Sequence, residues 1–359
     1  MKKFNLVGLI FSVVFLLFTI VGCSSDNEDQ AKNDNNQKQD TNDVVQAEET
    51  QSTIFAPHKD VNQEPVPLKM ERNGSDVYIE MTSQITDIPI TKDFIYKAWT
   101  FNGEAPGPVV VVNEGDTIHF TLKNIDPAIP HSMDFHAVHA APNKDFADVM
   151  PNEEGTFVYQ ASKPGVFMYH CGTKPVLAHI ANGMHGTIIV KPTDGYPTDD
   201  EIDREYVIIQ NEWYKYNDMD DMTNGVPSQV VFSTKALKEG QPNTNGTTTS
   251  LVDSPVTAKV GDKVRFYVNN VGPNEVSSFH VVGTIFDDVY IDGNPYNHMM
   301  GMQTVLLPAS GGAVVEFTVK KAGNYPIVTH QFNHAQKGAV GILKVTEDGQ
   351  DDGEAVSGH

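Results

Sequence analysis

The chain has 359 residues, too many for one small domain and about right for two, since domains cluster near roughly 100–150 residues. Hydrophobic residues make up 39%, with 28 Gly, 21 Pro, 18 Phe and 12 Tyr, so the chain can bury real cores and wholesale disorder is excluded. A formal net charge of −22 excludes a nucleic-acid partner, whose phosphates need clustered cations, and two cysteines, Cys23 and Cys171, exclude a disulfide framework.

At the N-terminus Lys2 and Lys3 precede an apolar run over residues 6–22 that is interrupted only by Ser12 and Thr19. A basic start and a short apolar core mark a targeting segment, and its length lies at the short edge of what spans a bilayer. Its end, Ile20-Val21-Gly22-Cys23, resembles the bacterial lipoprotein signal. The resemblance implies that residues 1–22 are a signal peptide and that Cys23 is lipidated as the mature N-terminus. The protein is then expected to be extracytoplasmic, anchored to the outer face of the cell membrane. Residues 23–58 are rich in Asn, Gln, Asp and Glu and read as a disordered tether, and residues 347–359 as an acidic flexible tail. Residues 24–53 carry −6 and the tail −5, which leaves about −13 on residues 54–346. An acidic body suits a cationic or neutral macromolecular partner.

Between residues 65 and 346 short alternating runs rich in Val, Ile, Phe, Tyr and Thr recur between Gly, Pro, Asn and Asp clusters, at 76–80, 109–112, 117–122, 187–190, 263–268 and 313–319. This spacing predicts an all-β fold. The chain also repeats itself: Glu-Gly-Asp-Thr-Ile-His-Phe-Thr-Leu-Lys-Asn at 114–124 matches Val-Gly-Asp-Lys-Val-Arg-Phe-Tyr-Val-Asn-Asn at 260–270, an offset of 146. Looser matches join 165–169 with 323–327 and 186–190 with 341–345. Two tandem Greek-key β-sandwiches follow, over 59–195 and 196–346, with helix confined to short pieces such as 233–237.

Of thirteen histidines only spaced clusters carry metal reasoning. Met168-Tyr169-His170-Cys171 is followed by His179 and Met184, and His131-Ser132-Met133-Asp134-Phe135-His136 lies upstream. One thiolate, two imidazoles and a thioether form the soft, trigonal set of a copper electron-transfer site, which assigns His131, Cys171, His179 and Met184 to one metal. Neighbouring residues of a strand point to opposite faces, so His170 and Cys171 do not easily serve one ion, and the same parity separates His136 from His131. His136 and His170 are therefore candidates for a second site, whose open positions suit a small substrate.

These blocks, with Gly183-Met184-His185-Gly186 following His179, resemble the copper-containing nitrite reductases, with two tandem cupredoxin-like domains, over about residues 60–346. The resemblance implies a homotrimer with type 1 copper on His131, Cys171, His179 and Met184. It implies type 2 copper on His136 and His170, completed by His330 from a neighbouring subunit, with Asp134 as a catalytic acid. Nitrite is the implied substrate, and a c-type cytochrome or a cupredoxin the implied electron donor. One run departs from the family pattern His-Leu-Ile-Gly-Gly-His-Gly-Asp-Tyr-Val-Trp: here it reads His280-Val281-Val282-Gly283-Thr284-Ile285-Phe286-Asp287-Asp288-Val289-Tyr290. Ile285 stands at the second histidine, so proton delivery falls either to His280 by a different route or to Asp134 and water; His280 is favoured, because imidazole titrates near neutral pH.

Two rival functions are weighed. A laccase-type multicopper oxidase needs several His-x-His pairs, and this chain has none. A non-catalytic type 1 copper electron-transfer lipoprotein needs only the Cys171 set and leaves His136, His170 and His330 unexplained. His139 and His185 flank the donors and are expected to orient ligands or sit at the rim, whereas His58, His298, His334 and His359 read as surface or structural residues. The Met299-Met300-Gly301-Met302 run reads as flexible packing.

Overall fold

The computed structural model describes residues 56–216, 218–237, 250–351 and 353. Cys23, the signal segment, nearly all of the tether and most of the acidic tail lie outside the described residues.

Among the described residues the first half forms nine strands: β1 (Lys69–Asn73), β2 (Asp76–Thr91), β3 (Phe94–Phe101), β4 (Val110–Asn113), β5 (Thr117–Asn124), β6 (Asp134–Phe135), β7 (Glu154–Gln160), β8 (Gly165–His170) and β9 (His185–Lys191). One sheet runs β1-β2-β5-β7 with β3 also on β2, and the other runs β4-β9-β8-β6. Alternation explains the layering. Ile118, Phe120 and Leu122 of β5 point inward to meet Trp99, Phe135 and Tyr169, while Thr117, His119 and Thr121 face away.

The second half contributes β10 (Arg204–Trp213), β11 (Gln229–Ala236), β12 (Val256–Lys259), β13 (Lys263–Asn270), β14 (Ser277–Val281), β15 (Phe286–Ile291), β16 (His298–Met302), β17 (Val305–Leu307), β18 (Gly312–Thr318), β19 (Gly323–Thr329) and β20 (Val340–Thr346). They pair as β11-β10-β13-β18-β15-β16 and β12-β20-β19-β14-β17. A second core lies between these sheets, around Phe266, Phe279, Phe286 and Phe317. Among the described residues helix is limited to α1 (Pro142–Asp145), α2 (Val176–Ala181), α3 (Met219–Thr223), α4 (Phe332–Ala335) and one 3-10 turn, Asp199–Glu201.

The internal repeat is topological as well as local. β2 pairs with β5 in parallel as β10 pairs with β13, and β4 with β9 as β12 with β20. The turn before each repeated strand needs a left-handed residue, supplied by Gly115 at φ +92° and Gly261 at φ +95°.

The expected helix over 233–237 is not formed. β11 runs through Ala236, with Ser233 opposite Ile209 and Thr234 opposite Ile208. The β-branched and aromatic run Val230, Val231 and Phe232 carries the ladder onward, and pairing with β10 overrides the weak local preference. The methionine run also differs from its expectation: Met299 and Met300 are 49% and 72% exposed on edge strand β16, and only Met302 packs against the core.

The two sandwiches meet through a third apolar cluster, in which Val166, Met168 and Ile189 pack on Val207, Ile209, Tyr267, Tyr290 and Val314. The approach is close: a Cβ on Gly312 would lie 2.2 Å from the Val166 carbonyl oxygen. Beside it lies a buried charge network. Arg265, 2% exposed, donates from Nε to Glu316 at 2.7 Å, also engages Asp199 of the connecting segment, and lies 3.3 Å from Glu205. Lys191, at the end of β9, reaches the Tyr267 hydroxyl at 2.7 Å, and that hydroxyl donates to Glu205 at 2.8 Å. Glu316 has no exposure, and without Arg265 it keeps only the Thr198 hydroxyl at 2.6 Å and Lys263 at 3.9 Å, so removing the guanidinium leaves a buried carboxylate poorly compensated. Arg265→Met is expected to lower stability by about 3–5 kcal/mol, with much of the loss recovered in Arg265→Met/Glu316→Gln, as measured by urea denaturation.

Candidate metal centres

β8 ends at His170, and its side chains alternate between the two environments described above. Tyr169 and then Cys171 enter the first-domain core, whereas Met168 and His170 face the other way. β6 lies antiparallel beside it, with Asp134 opposite His170 and Phe135 opposite Tyr169. The same alternation sends Met133 and Phe135 inward and leaves Asp134 and His136 on the outer side.

On the inner side His131, Cys171 and His179 converge, all of them buried. The His131 and His179 Nδ1 atoms are 3.2 Å apart, and Cys171 Sγ lies 3.3 Å from His179 Nδ1 and 4.0 Å from His131 Nδ1. His131 is fixed by two backbone hydrogen bonds with Val149, of 3.1 and 2.7 Å. His179 sits on α2. Met184 is fully buried in the same core, and its carbonyl accepts from the Cys171 N–H at 3.1 Å. Burial alone would push the Cys171 thiol up, but the two imidazoles facing it outweigh that effect and hold it well below the usual thiol range. A thiolate with two convergent imidazole nitrogens and a neighbouring thioether residue is a donor set that fits copper.

On the outer side His136 Nε2 lies 3.1 Å from His170 Nε2, and Asp134 Oδ2 lies 3.9 Å from His170 Nε2. These three residues form the second convergent group. The His170 Nδ1 atom points back to the Cys171 carbonyl at 2.9 Å, which leaves Nε2 as the atom directed at His136. Burial and the neighbouring His170 push the His136 imidazole down against the opposing pull of Asp134.

The remaining expected site residues lie in the second domain. His280 leaves β14 on its outer side and stacks on His330, ring centroids 5.2 Å apart. The His330 N–H donates to Ser278 at 2.9 Å, which ties the end of β19 to β14. His280 Nδ1 meets the Gln303 carbonyl, and burial together with His330 pushes its imidazole down. Within one chain His280 and His330 are not part of the group formed by Asp134, His136 and His170. Phe332, 67% exposed, meets the His330 ring with centroids 5.4 Å apart, and Leu306, opposite Ser278, is 65% exposed.

His139 is exposed. His185 is fully buried opposite His170, donates from Nδ1 toward Ile180 at 3.0 Å, and is pushed down to about 4 by burial. His298 lies 2.9 Å from Asp288, His334 is buried beside Glu275, and His58 is exposed; His359 lies outside the described residues.

Several residues that sequence reasoning did not single out build the first centre. Trp99 stacks on His179 with centroids 4.7 Å apart and meets His131 edge-on at 5.8 Å. The Trp99 backbone N–H donates to the Asn182 carbonyl at 3.0 Å, and the Tyr96 hydroxyl donates to the Asn182 side chain at 2.8 Å, so β3 clamps the turn after α2. That turn needs Gly183, at φ +116°, because a Cβ there would lie 2.8 Å from the Trp99 carbonyl. The Ser132 N–H points at Cys171 Sγ at 3.3 Å, and Asp126 Oδ2 lies 3.1 Å from His131 Nε2. The only sequence signal for Asp126 is an Asp-Pro turn just upstream of His131.

Comparison with known proteins agrees with this architecture. Family profiles described as multicopper oxidase match residues 84–195 and 216–349. A solved multicopper oxidase, 24% identical with a TM-score of 0.65, covers 77% of this chain and shares the fold. A copper-containing nitrite reductase of Neisseria gonorrhoeae is 37% identical over 295 residues, 78% of this chain and 71% of that protein. The structure of a copper nitrite reductase from Nitrosomonas europaea is 39% identical, covers 79% of this chain and 98% of that chain, and superposes with a TM-score of 0.68. A copper-containing nitrite reductase from Thermus scotoductus is 36% identical, with a TM-score of 0.67 and coverage of 77% of this chain and 62% of that one. With two tandem cupredoxin-like domains and this level of identity over most of its length, the chain belongs to the copper-containing nitrite reductases.

Proposed function

We propose that this chain reduces nitrite by one electron to nitric oxide and water. Type 1 copper is held by His131, Cys171, His179 and Met184. Type 2 copper is held by His136, His170 and His330 of the partner subunit. The observation that carries the reading is the pair of convergent donor groups joined at the His170–Cys171 peptide bond, one containing a thiolate and the other only imidazoles and a carboxylate. Relatives named for nitrite reduction support the substrate. When bound, copper supplies one-electron chemistry at the thiolate group and a Lewis-acidic position for a small anion at the imidazole group.

The residues divide the remaining work. Cys171 and His170 provide a short covalent path between the two centres. His136 and His170 leave open positions on their outer side for nitrite. Reduction of nitrite to nitric oxide and water takes up two protons with the electron. Asp134, partly exposed beside His170 Nε2, is placed to deliver one of them. His280 is the second donor. Its stacking on His330 means that any contact bringing His330 to a neighbour's His136 and His170 brings His280 as well.

The exposed apolar side chains around His330 support a homotrimer in which this face closes on the neighbouring first domain. The acidic body suits a cationic electron donor, a c-type cytochrome or a cupredoxin. Lipidation at Cys23 would hold the enzyme at the outer face of the cell membrane with residues 23–58 as its tether; the basic start, the apolar run and the cysteine after Gly22 support this.

Metal analysis of the loaded enzyme is expected to give two coppers per chain, and Cys171→Ala one copper per chain with the visible colour abolished. One copper per chain in the unaltered protein supports the carrier instead. Asp134→Asn is expected to keep both coppers and lower kcat by about 100-fold or more with a reduced mediator. Unchanged turnover removes its assigned role. Co-assembly tests the shared site: His136→Ala and His330→Ala are each inactive alone, and mixed trimers regain part of the activity, because some interfaces then carry an intact ligand set.

A further inference from the structure

We propose that Asp126 is a positioning residue for the thiolate centre, holding the His131 ring with Nδ1 toward Cys171 and supplying a second buried negative charge that favours cupric over cuprous ion. The inference rests on the copper reading above. It starts from a buried contact that the proposed chemistry leaves unused: His131 Nε2 and Asp126 Oδ2 lie 3.1 Å apart, and neither side chain has any exposure.

The carboxylate is built in. Its Oδ1 accepts from the Ala128 N–H at 2.8 Å and the Ile129 N–H at 3.2 Å, while the Asp126 N–H donates to Asn124 Oδ1 at 3.0 Å. The Asn124 amide in turn donates to the carbonyls of Ile129 at 2.9 Å and Val149 at 2.8 Å. Val149 is also the backbone partner of His131. Asp126 therefore has little freedom, and its remaining oxygen is aimed at one atom.

Two consequences follow. A carboxylate oxygen accepts, so Nε2 carries the ring proton and Nδ1 keeps its lone pair, directed at Cys171 Sγ and His179 Nδ1. The second consequence concerns charge. Among the described residues no Lys or Arg forms an ion pair with Asp126, and a buried carboxylate without a counter-charge is costly. The Cys171 thiolate and Asp126 together carry two negative charges beside neutral imidazoles and a thioether. A doubly charged cation balances them, whereas a singly charged one leaves a net negative charge in a dry interior. His179 is held differently, by stacking on Trp99.

The test uses the full-length loaded enzyme and Asp126→Asn, which is close in shape and removes the charge. Expected are a raised type 1 reduction potential, an altered visible spectrum, and a Cu(II) affinity lowered roughly 10–100-fold while Cu(I) affinity falls less. A potential and a Cu(II)/Cu(I) affinity ratio equal to those of the unaltered protein overturn the proposal. Should Asp126→Asn fail to fold, long-range proton–nitrogen NMR of the unaltered Cu(I) protein, labelled with 15N-histidine, reads the ring directly. His131 protonated at Nε2 and bound through Nδ1 is expected; coordination through Nε2 overturns the proposal. Absence of thiolate-to-copper absorption in the unaltered protein removes the copper reading itself, and is distinguished by appearing without any substitution.

Discussion

Successive side chains of a β-strand leave on opposite faces, and the end of β8 turns that constraint into two chemically different sites one peptide bond apart. Cys171 enters a closed core with His131 and His179, whereas His170 opens on the other side toward His136 and Asp134. A helix would have placed these neighbours about 100° apart on one surface, and a loop would have fixed neither. β6 reproduces the alternation beside β8, and so the pairing of Asp134 with His170 sets the second group as firmly as the core sets the first.

The two groups differ in environment as much as in composition. The thiolate group is dry, backed by Trp99 and Asp126, and clamped by the β3 contacts to Asn182. Fixed, water-excluded ligands favour electron transfer, because little has to rearrange when the charge changes. The imidazole group has an exposed His136 and a partly exposed Asp134, leaving room for a small anion and its protons. In the proposed trimer the second domain, which carries no thiolate, closes that open side with His330 and His280. The buried Arg265–Glu316 network and the Gly312–Val166 approach hold the two sandwiches of one chain together without touching either group.

Much of this was legible in the residues. Alternation in β5 and β13, the 146-residue offset and the repeated Gly-Asp turn predicted two copies of one all-β unit, because period-2 patterning and left-handed glycine turns are local requirements. The spacing of Cys171, His179 and Met184, together with the parity argument for His170, assigned the donors to two groups on chemistry and strand geometry alone. The 233–237 segment failed as a helix because its fate depends on β10, which no local pattern encodes.

By itself, the sequence determined the fold class and the repeat, since each depends on neighbours a few residues apart, and it named the candidate donors from their chemistry. Only the tertiary structure decided how His131, forty residues before Cys171, meets it across the core, that Trp99 and Asp126 hold the two imidazoles, and that His280 and His330 stack on an open face. These contacts join distant strands, and their geometry is set by sheet register and packing between layers, quantities that no stretch of sequence contains on its own.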